Sequence, residues 1–371
     1  MKKFIFFTSF FIFFFLGLFL SAGDQNITHS IDKLFSMDIF SYIGNISYIE
    51  ETQDYSKLLS HPFWLIIIQP IFYFIKIFTN SDTISLLLLQ SLCSSANICL
   101  IFSILKMFTK RTFTPFLFCI LYGISFSTLI FTSFIEVYIY SAFFNLLFLY
   151  LICHIYTQNT DLNFKKDFIL ASVIFFAFGI NFINVLTLFC LLFLVLIFSK
   201  KDFFYKIKHF LLILLIFMTI TTGFSIIEKY KYGIDSKKFL KNTIEKHLKI
   251  EQITNNYNFD IKILPAINGI YTEAFYSLKI IKKEINTFEN SKNTGFYFDK
   301  NQNFIKLIPF ILLNLFAFII FALRYKKFDK KPIIFALLSI CIINICFYMI
   351  YWSEESFLYS QNAFPYLIIL L

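Results

Sequence analysis

The stretch from Leu34 to Gln69, LFSMDIFSYIGNISYIEETQDYSKLLSHPFWLIIIQ, decides how the rest of the chain is read. It is a polar, acidic insert between two strongly apolar stretches, with Asp38 near its start and His61-Pro62 where the chain turns apolar again. Everything after it reads as hydrophobic spans that would hold such a loop against one face of a membrane.

Composition supports that reading. Of 371 residues, 58% are hydrophobic and only 15% charged, too few polar groups to cover the surface of a soluble globule. The expected fold class is an all-α membrane protein, a multi-span helical bundle forming a single polytopic domain over residues 1–371. The net charge of +10 could suggest nucleic acid, but Lys and Arg cluster in short blocks between apolar runs, as membrane topology demands. No nucleic-acid partner is expected. The 7 Cys all lie inside apolar runs, where they behave as small hydrophobes. No CxxC spacing or His pair accompanies them, so neither a disulfide nor a metal site is implied.

Phe4 to Leu20, after Lys2-Lys3, is close to the roughly 20 residues a span needs and is read as a first helix entering from the cytoplasm. A signal peptide cleaved near Ser21-Ala22-Gly23 is the alternative. Residues 21–62 then form the first extracytoplasmic loop. His61 to Phe78 carries Pro62 and Pro70, which break or kink a helix, so it is expected to lie at a shallow angle near the outer leaflet. Ile84 to Leu105 is the next clean span and delivers Lys106, Lys110 and Arg111 to the cytoplasm. Phe113 to Tyr156 accommodates two spans with Glu136 at an outer hairpin between them. Phe168 to Phe198 is too long for one ordinary helix and short for two, but basic blocks flank it on both sides. These must share one face, so two short helices are expected to meet near Gly179 to Asn184, with Asn181 and Asn184 facing protein.

Phe210 to Ile227 leads to a long extracytoplasmic loop, residues 228–303, with two weak helical patterns near Lys237 to Ile250 and Glu273 to Ile285. Phe304 to Leu323 returns to the basic block Arg324 to Lys331, and Ile333 to Tyr351 goes out again. Leu367 to Leu371 is too short to cross, so the chain reads as truncated at its C-terminus.

With this topology Asp38, Glu50, Glu51, Asp54, Glu136, Glu354 and Glu355 all fall on the outer side, while the spans are almost free of charge. A transporter more often places ionisable groups near the midplane. An enzyme acting at the outer surface gathers them at one mouth of the bundle.

The pattern Phe35-Ser-Met-Asp38, then Tyr55 and His61-Pro62-Phe63-Trp64, resembles the first outer loop of the polytopic GT-C glycosyltransferases, which include protein O-mannosyltransferases and aminoarabinose transferases. Ser133-Phe-Ile-Glu136-Val-Tyr138, Gly179 to Asn184 and Glu355-Ser-Phe-Leu-Tyr-Ser360 are similar to bacterial members, so the resemblance runs in order over nearly the whole chain. It implies a GT-C type bundle in the cell inner membrane, with outer-face juxtamembrane helices and its active site on the extracytoplasmic face. It further implies a hexosyl- or pentosyltransferase that moves a sugar from a polyprenyl-phosphate carrier to a glycan, lipid or protein acceptor. No cofactor is implied beyond that lipid-linked donor. Asp38 is the implied catalytic base; His61, Lys57, Glu136, Asn184, Glu355 and Tyr359 are the implied substrate-binding residues. Two departures stand out. Arg111 and Arg324, the only arginines, are both expected at the cytoplasmic face, so contact with the carrier phosphate would fall to Lys57 or a long-loop Lys acting as a point charge. Gln361 stands where relatives commonly carry His.

The chemistry is compatible with this expectation. Glycosyl transfer with a phospholipid leaving group needs a base for the acceptor, stabilisation of phosphate charge and a groove open to the bilayer. His61 is a candidate to hydrogen-bond the phosphate, and a structural His-Pro turn is an equal alternative. No Asp-x-Asp, Walker or dinucleotide glycine motif occurs, leaving a metal-bridged nucleotide-sugar site without support. A flippase, ligase or polymerase of lipid-linked glycans would share the topology and the carrier, and a polytopic transporter is the remaining alternative.

Overall fold

The computed structural model describes residues 1–22, 68–158, 160–181, 183–199, 201–232, 280–286 and 292–298, together with Leu337 and Ile369. The described apolar runs are helical. Among the described residues four helices are long and apolar enough to cross a membrane, and a bent pair would make a fifth.

Helix α1 (Lys2–Gly17) continues into a π-helical turn, Leu18–Ala22. It buries Ile5, Ser9, Phe13 and Gly17, one residue per turn along a single seam, and turns a row of Phe outward. The glycine lets the helix end approach its neighbours. A Cβ at Gly17 would stand 3.1 Å from the Leu87 side chain and 3.8 Å from the backbone of Ser133. With Cys99 Sγ reaching the Lys2 carbonyl at the other end, α1 runs antiparallel to α3 (Asp82–Phe108).

Between them, α2 (Gln69–Thr79) has 11 residues, roughly 16 Å, against about 30 Å of hydrocarbon. It cannot cross. Pro70, expected to interrupt this run, instead stands in the first turn of α2, where its missing N–H costs nothing. The helix ends at Asn80, the one non-glycine residue with positive φ among those described (φ 51°), and its N–H closes on the Lys76 carbonyl. Ser81 caps α3 at once, while Lys76 pairs with Asp82 at 2.6 Å and Thr79 meets Ser85 at 2.6 Å. Residues 61–67 of the expected surface segment lie outside the described residues.

Helix α4 (Phe113–Gly123) bends by 61° into α5 (Phe126–Ser133), with the Ser125 hydroxyl capping the second piece. After a break, α6 (Tyr138–Thr157) runs parallel to α3, since Asn97 contacts the carbonyl of Ile139 and Met107 contacts Thr157. The long apolar run that follows divides as its flanking charges require, into α7 (Phe164–Ile180) and α8 (Ile183–Phe198). Asn163 caps the first, and the buried Asn181 and Asn184 flank the turn between them. Helix α9 (Phe203–Tyr232) packs mainly on α7 through Phe178–Phe217 and Phe175–Phe224 ring contacts.

Two apolar clusters fill the bundle. The larger includes Ile104, Leu149, Ile174, Leu192 and Ile213, and Leu337 joins it. The smaller gathers Ile68, Phe72, Leu87, Phe134, Ile135 and Ile180 at the opposite end from the basic loops.

In the long loop, β1 (Ile280–Asn286) pairs antiparallel with β2 (Lys292–Phe298), Ile280 facing Phe298 and Lys283 facing Gly295. This corrects the helical reading of Glu273 to Ile285 over its last six residues. The i, i+4 spacing of Ile281 and Ile285 is compatible with a helix, but β-branched Ile280 and Ile281 opposite Phe298 and Tyr297 favour strand pairing.

A candidate site at the Glu136 end of the bundle

Glu136 stands in the break between α5 and α6, at residues 134–137, as expected for an acid between two spans. Unlike a solvated hairpin residue it is buried, 2% exposed. One carboxylate oxygen accepts the Val137 N–H at 2.9 Å. The carboxylate therefore lies at the start of α6, where the helix dipole presents partial positive charge.

Breaking a helix inside an apolar environment frees carbonyls that water cannot reach, and side chains from neighbouring helices must satisfy them. Helix α3 does this with a stripe at helical spacing. Gln90 Nε2 donates to the carbonyls of Phe131 and Phe134, Ser94 bonds Thr132 at 2.9 Å, and Asn97 Nδ2 donates to the Ile139 carbonyl at 3.1 Å. Gln90 and Asn97 thus hold the main chain on either side of Glu136. These residues were not singled out from the sequence, although a Gln and an Asn seven residues apart within an apolar run signal interhelical bonding.

Asn184 begins the neighbouring polar knot and is 1% exposed. Its amide donates to Ser141 Oγ and to the Ala177 carbonyl, both at 2.9 Å, and its oxygen accepts from Asn145 Nδ2 at 3.0 Å. Both amide protons are spent on protein. The side chain ties α6, α7 and α8 together, and its described bonds support a structural task, not contact with a substrate.

Asp38, Lys57 and His61, and with them Glu355 and Tyr359, lie outside the described residues. The two ends of the loop that carries the first three do not. Leu18 and Leu20, just before it, and Ile68, just after it, pack into the same apolar cluster as Phe134, Ile135 and Val137 around Glu136. The π-turn at the loop's start also packs against α3 and α5.

At the other end of the bundle the structure brings together a pair the sequence did not flag. Asp167 in the first turn of α7 lies 2.7 Å from His209 Nδ1 on α9, and both side chains are buried. Tyr205 packs on the His209 ring and accepts the Leu162 N–H at 2.5 Å. Forty-two residues separate Asp167 from His209, and each sits at the edge of an apolar run, so only the packing of α9 on α7 reveals the pair. Nearby, a hydrogen bond from Lys201 holds the exposed Asp161 carboxyl below the usual carboxylate range.

Among the described residues no group of three His, Cys, Asp or Glu side chains is arranged as metal ligands. Compared with protein families, with curated proteins and with solved structures, the chain matches none of them.

Proposed function

We propose that this chain is a membrane glycosyltransferase of GT-C type that uses a polyprenyl-phosphate-linked sugar, with its site at the Glu136 end of the bundle, on the extracytoplasmic side of the inner membrane. In this reading Asp38 takes the proton of the acceptor hydroxyl, whose oxygen attacks the anomeric carbon. The bond from that carbon to the phosphate oxygen breaks, and polyprenyl phosphate leaves. A base acting there must be held within hydrogen-bond reach of its acceptor.

What carries the proposal is the anchoring of the Asp38 loop. The residues flanking that loop, Leu18, Leu20 and Ile68, pack into the cluster that surrounds the buried Glu136, which supports the reading that Asp38 works at the same end as Glu136. The test is donor consumption. Purified protein, given a radiolabelled polyprenyl-phosphate sugar and a membrane extract as the source of acceptor, is expected to release polyprenyl phosphate and label the acceptor. A donor that stays intact across hexose and pentose carriers would reject the assignment.

A further inference from the structure

Of the helices that begin at the basic end of the bundle, three begin with an exposed phenylalanine. Phe113 opens α4, Phe164 opens α7 and Phe203 opens α9, at 73%, 66% and 69% exposure. Each has a cation within two residues: Arg111, Lys165 and Lys201. That these starts share one face follows from the pairing of Asp161 with Lys201 across the α7–α8 hairpin and from the contact of Thr157 with Met107 at the ends of α6 and α3.

The charges at this face are unequally committed. Asp161 pairs with Lys201, Asp167 with His209, and Asp202 caps the Tyr205 N–H. Lys106 and Lys206 cap carbonyls at the ends of α3 and α8. The side chains of Lys110, Arg111 and Lys165 are exposed and make no hydrogen bond or ion pair among the described residues, and Lys208, near Asp167, is exposed as well. The acids are therefore neutralised within the protein while cations remain available, and two of them, Arg111 and Lys165, stand next to the exposed rings of Phe113 and Phe164.

We propose that this face binds anionic phospholipid headgroups, with Phe113, Phe164 and Phe203 entering the boundary between acyl chains and headgroups while Arg111, Lys165 and Lys208 meet the phosphates. Aromatic rings favour that boundary, and basic residues close to an anionic leaflet are attracted to it one by one. The lipid is recognised by its negative charge and its attached chains together. A free phosphate offers only the first.

The full chain is reconstituted in nanodiscs of mixed phosphatidylcholine and phosphatidylglycerol and released into detergent, and the retained lipids are counted by native mass spectrometry. Phosphatidylglycerol is expected to be retained over phosphatidylcholine by about tenfold. Arg111→Gln with Lys165→Gln and Lys208→Gln should remove most of that preference. The charge-conserving set Arg111→Lys, Lys165→Arg and Lys208→Arg should keep it, and Phe113→Ser alone should weaken retention of both lipids. Lys282→Gln with Lys283→Gln in the β1 strand should change nothing. Equal retention of the two lipids by the parent protein would overturn the proposal, as would displacement of phosphatidylglycerol by excess inorganic phosphate.

Discussion

Asp161, just before α7, and Lys201, just after α8, form an ion pair, so the α7–α8 hairpin ends on the face of the bundle from which it started. Whatever crosses the membrane between them crosses an even number of times. Lys110, Lys165 and Lys201 should accordingly share one side. Single cysteines at 110, 165 and 201 are expected to react with an impermeant maleimide from the same side of sealed vesicles, and labelling from opposite sides would break the topology.

The same pair carries a pH dependence. The hydrogen bond and charge of Lys201 lower the folded-state pKa of Asp161, so its contribution to stability is present above the unfolded carboxyl pKa and is lost as pH falls through the lowered folded value. Asp161→Asn should melt slightly below the parent at neutral pH. The difference should shrink on acidification below about pH 4. Because the pair is exposed the effect is small, and high salt should shrink it as well.

Asp167 and His209 should behave in the opposite way to a surface pair. Removing one partner leaves a buried charge without compensation, so His209→Ala is expected to cost about 3 kcal/mol in unfolding from detergent. Asp167→Leu with His209→Phe should recover most of that loss. A double variant as unstable as the single would mean that the pair's charge is not what its loss exposes.

Gln90 supports the break that holds Glu136. Gln90→Leu leaves the Phe131 and Phe134 carbonyls without that donor and is expected to destabilise by about 2 kcal/mol. Ser103→Ala removes a hydroxyl that bonds back only within α3 and serves as the control, with a change near zero. Equal melting of the two variants would show that the break is held by something other than α3.

Much of the bundle was legible in the sequence because apolar runs and basic blocks are constrained by the membrane itself. The division of Phe168 to Phe198 into two helices, and the burial of Asn181 and Asn184 beside their junction, followed from charge on the flanks. Less legible was what the polar groups inside the bundle touch. Gln90 and Asn97 read as isolated amides in an apolar run, and only the packing of α5 and α6 on α3 brings carbonyls to them. Pro70 reads as a breaker, yet a proline at the start of a helix and one that interrupts it look alike until the boundary is known. Asp167 and His209 each look like the solvated edge of a span, because their pairing depends on how α9 packs on α7.

The central claim rests on Asp38, and one substitution addresses it most directly. Asp38→Asn keeps the shape of the side chain and removes the base. Measured as label moved from a polyprenyl-phosphate sugar to acceptor, in membranes containing equal amounts of each protein, transfer by Asp38→Asn is expected to fall at least about a hundredfold, the scale of lost general-base catalysis. Glu50→Gln, in the same loop, should transfer at the parent rate. Undiminished transfer in Asp38→Asn would contradict the account.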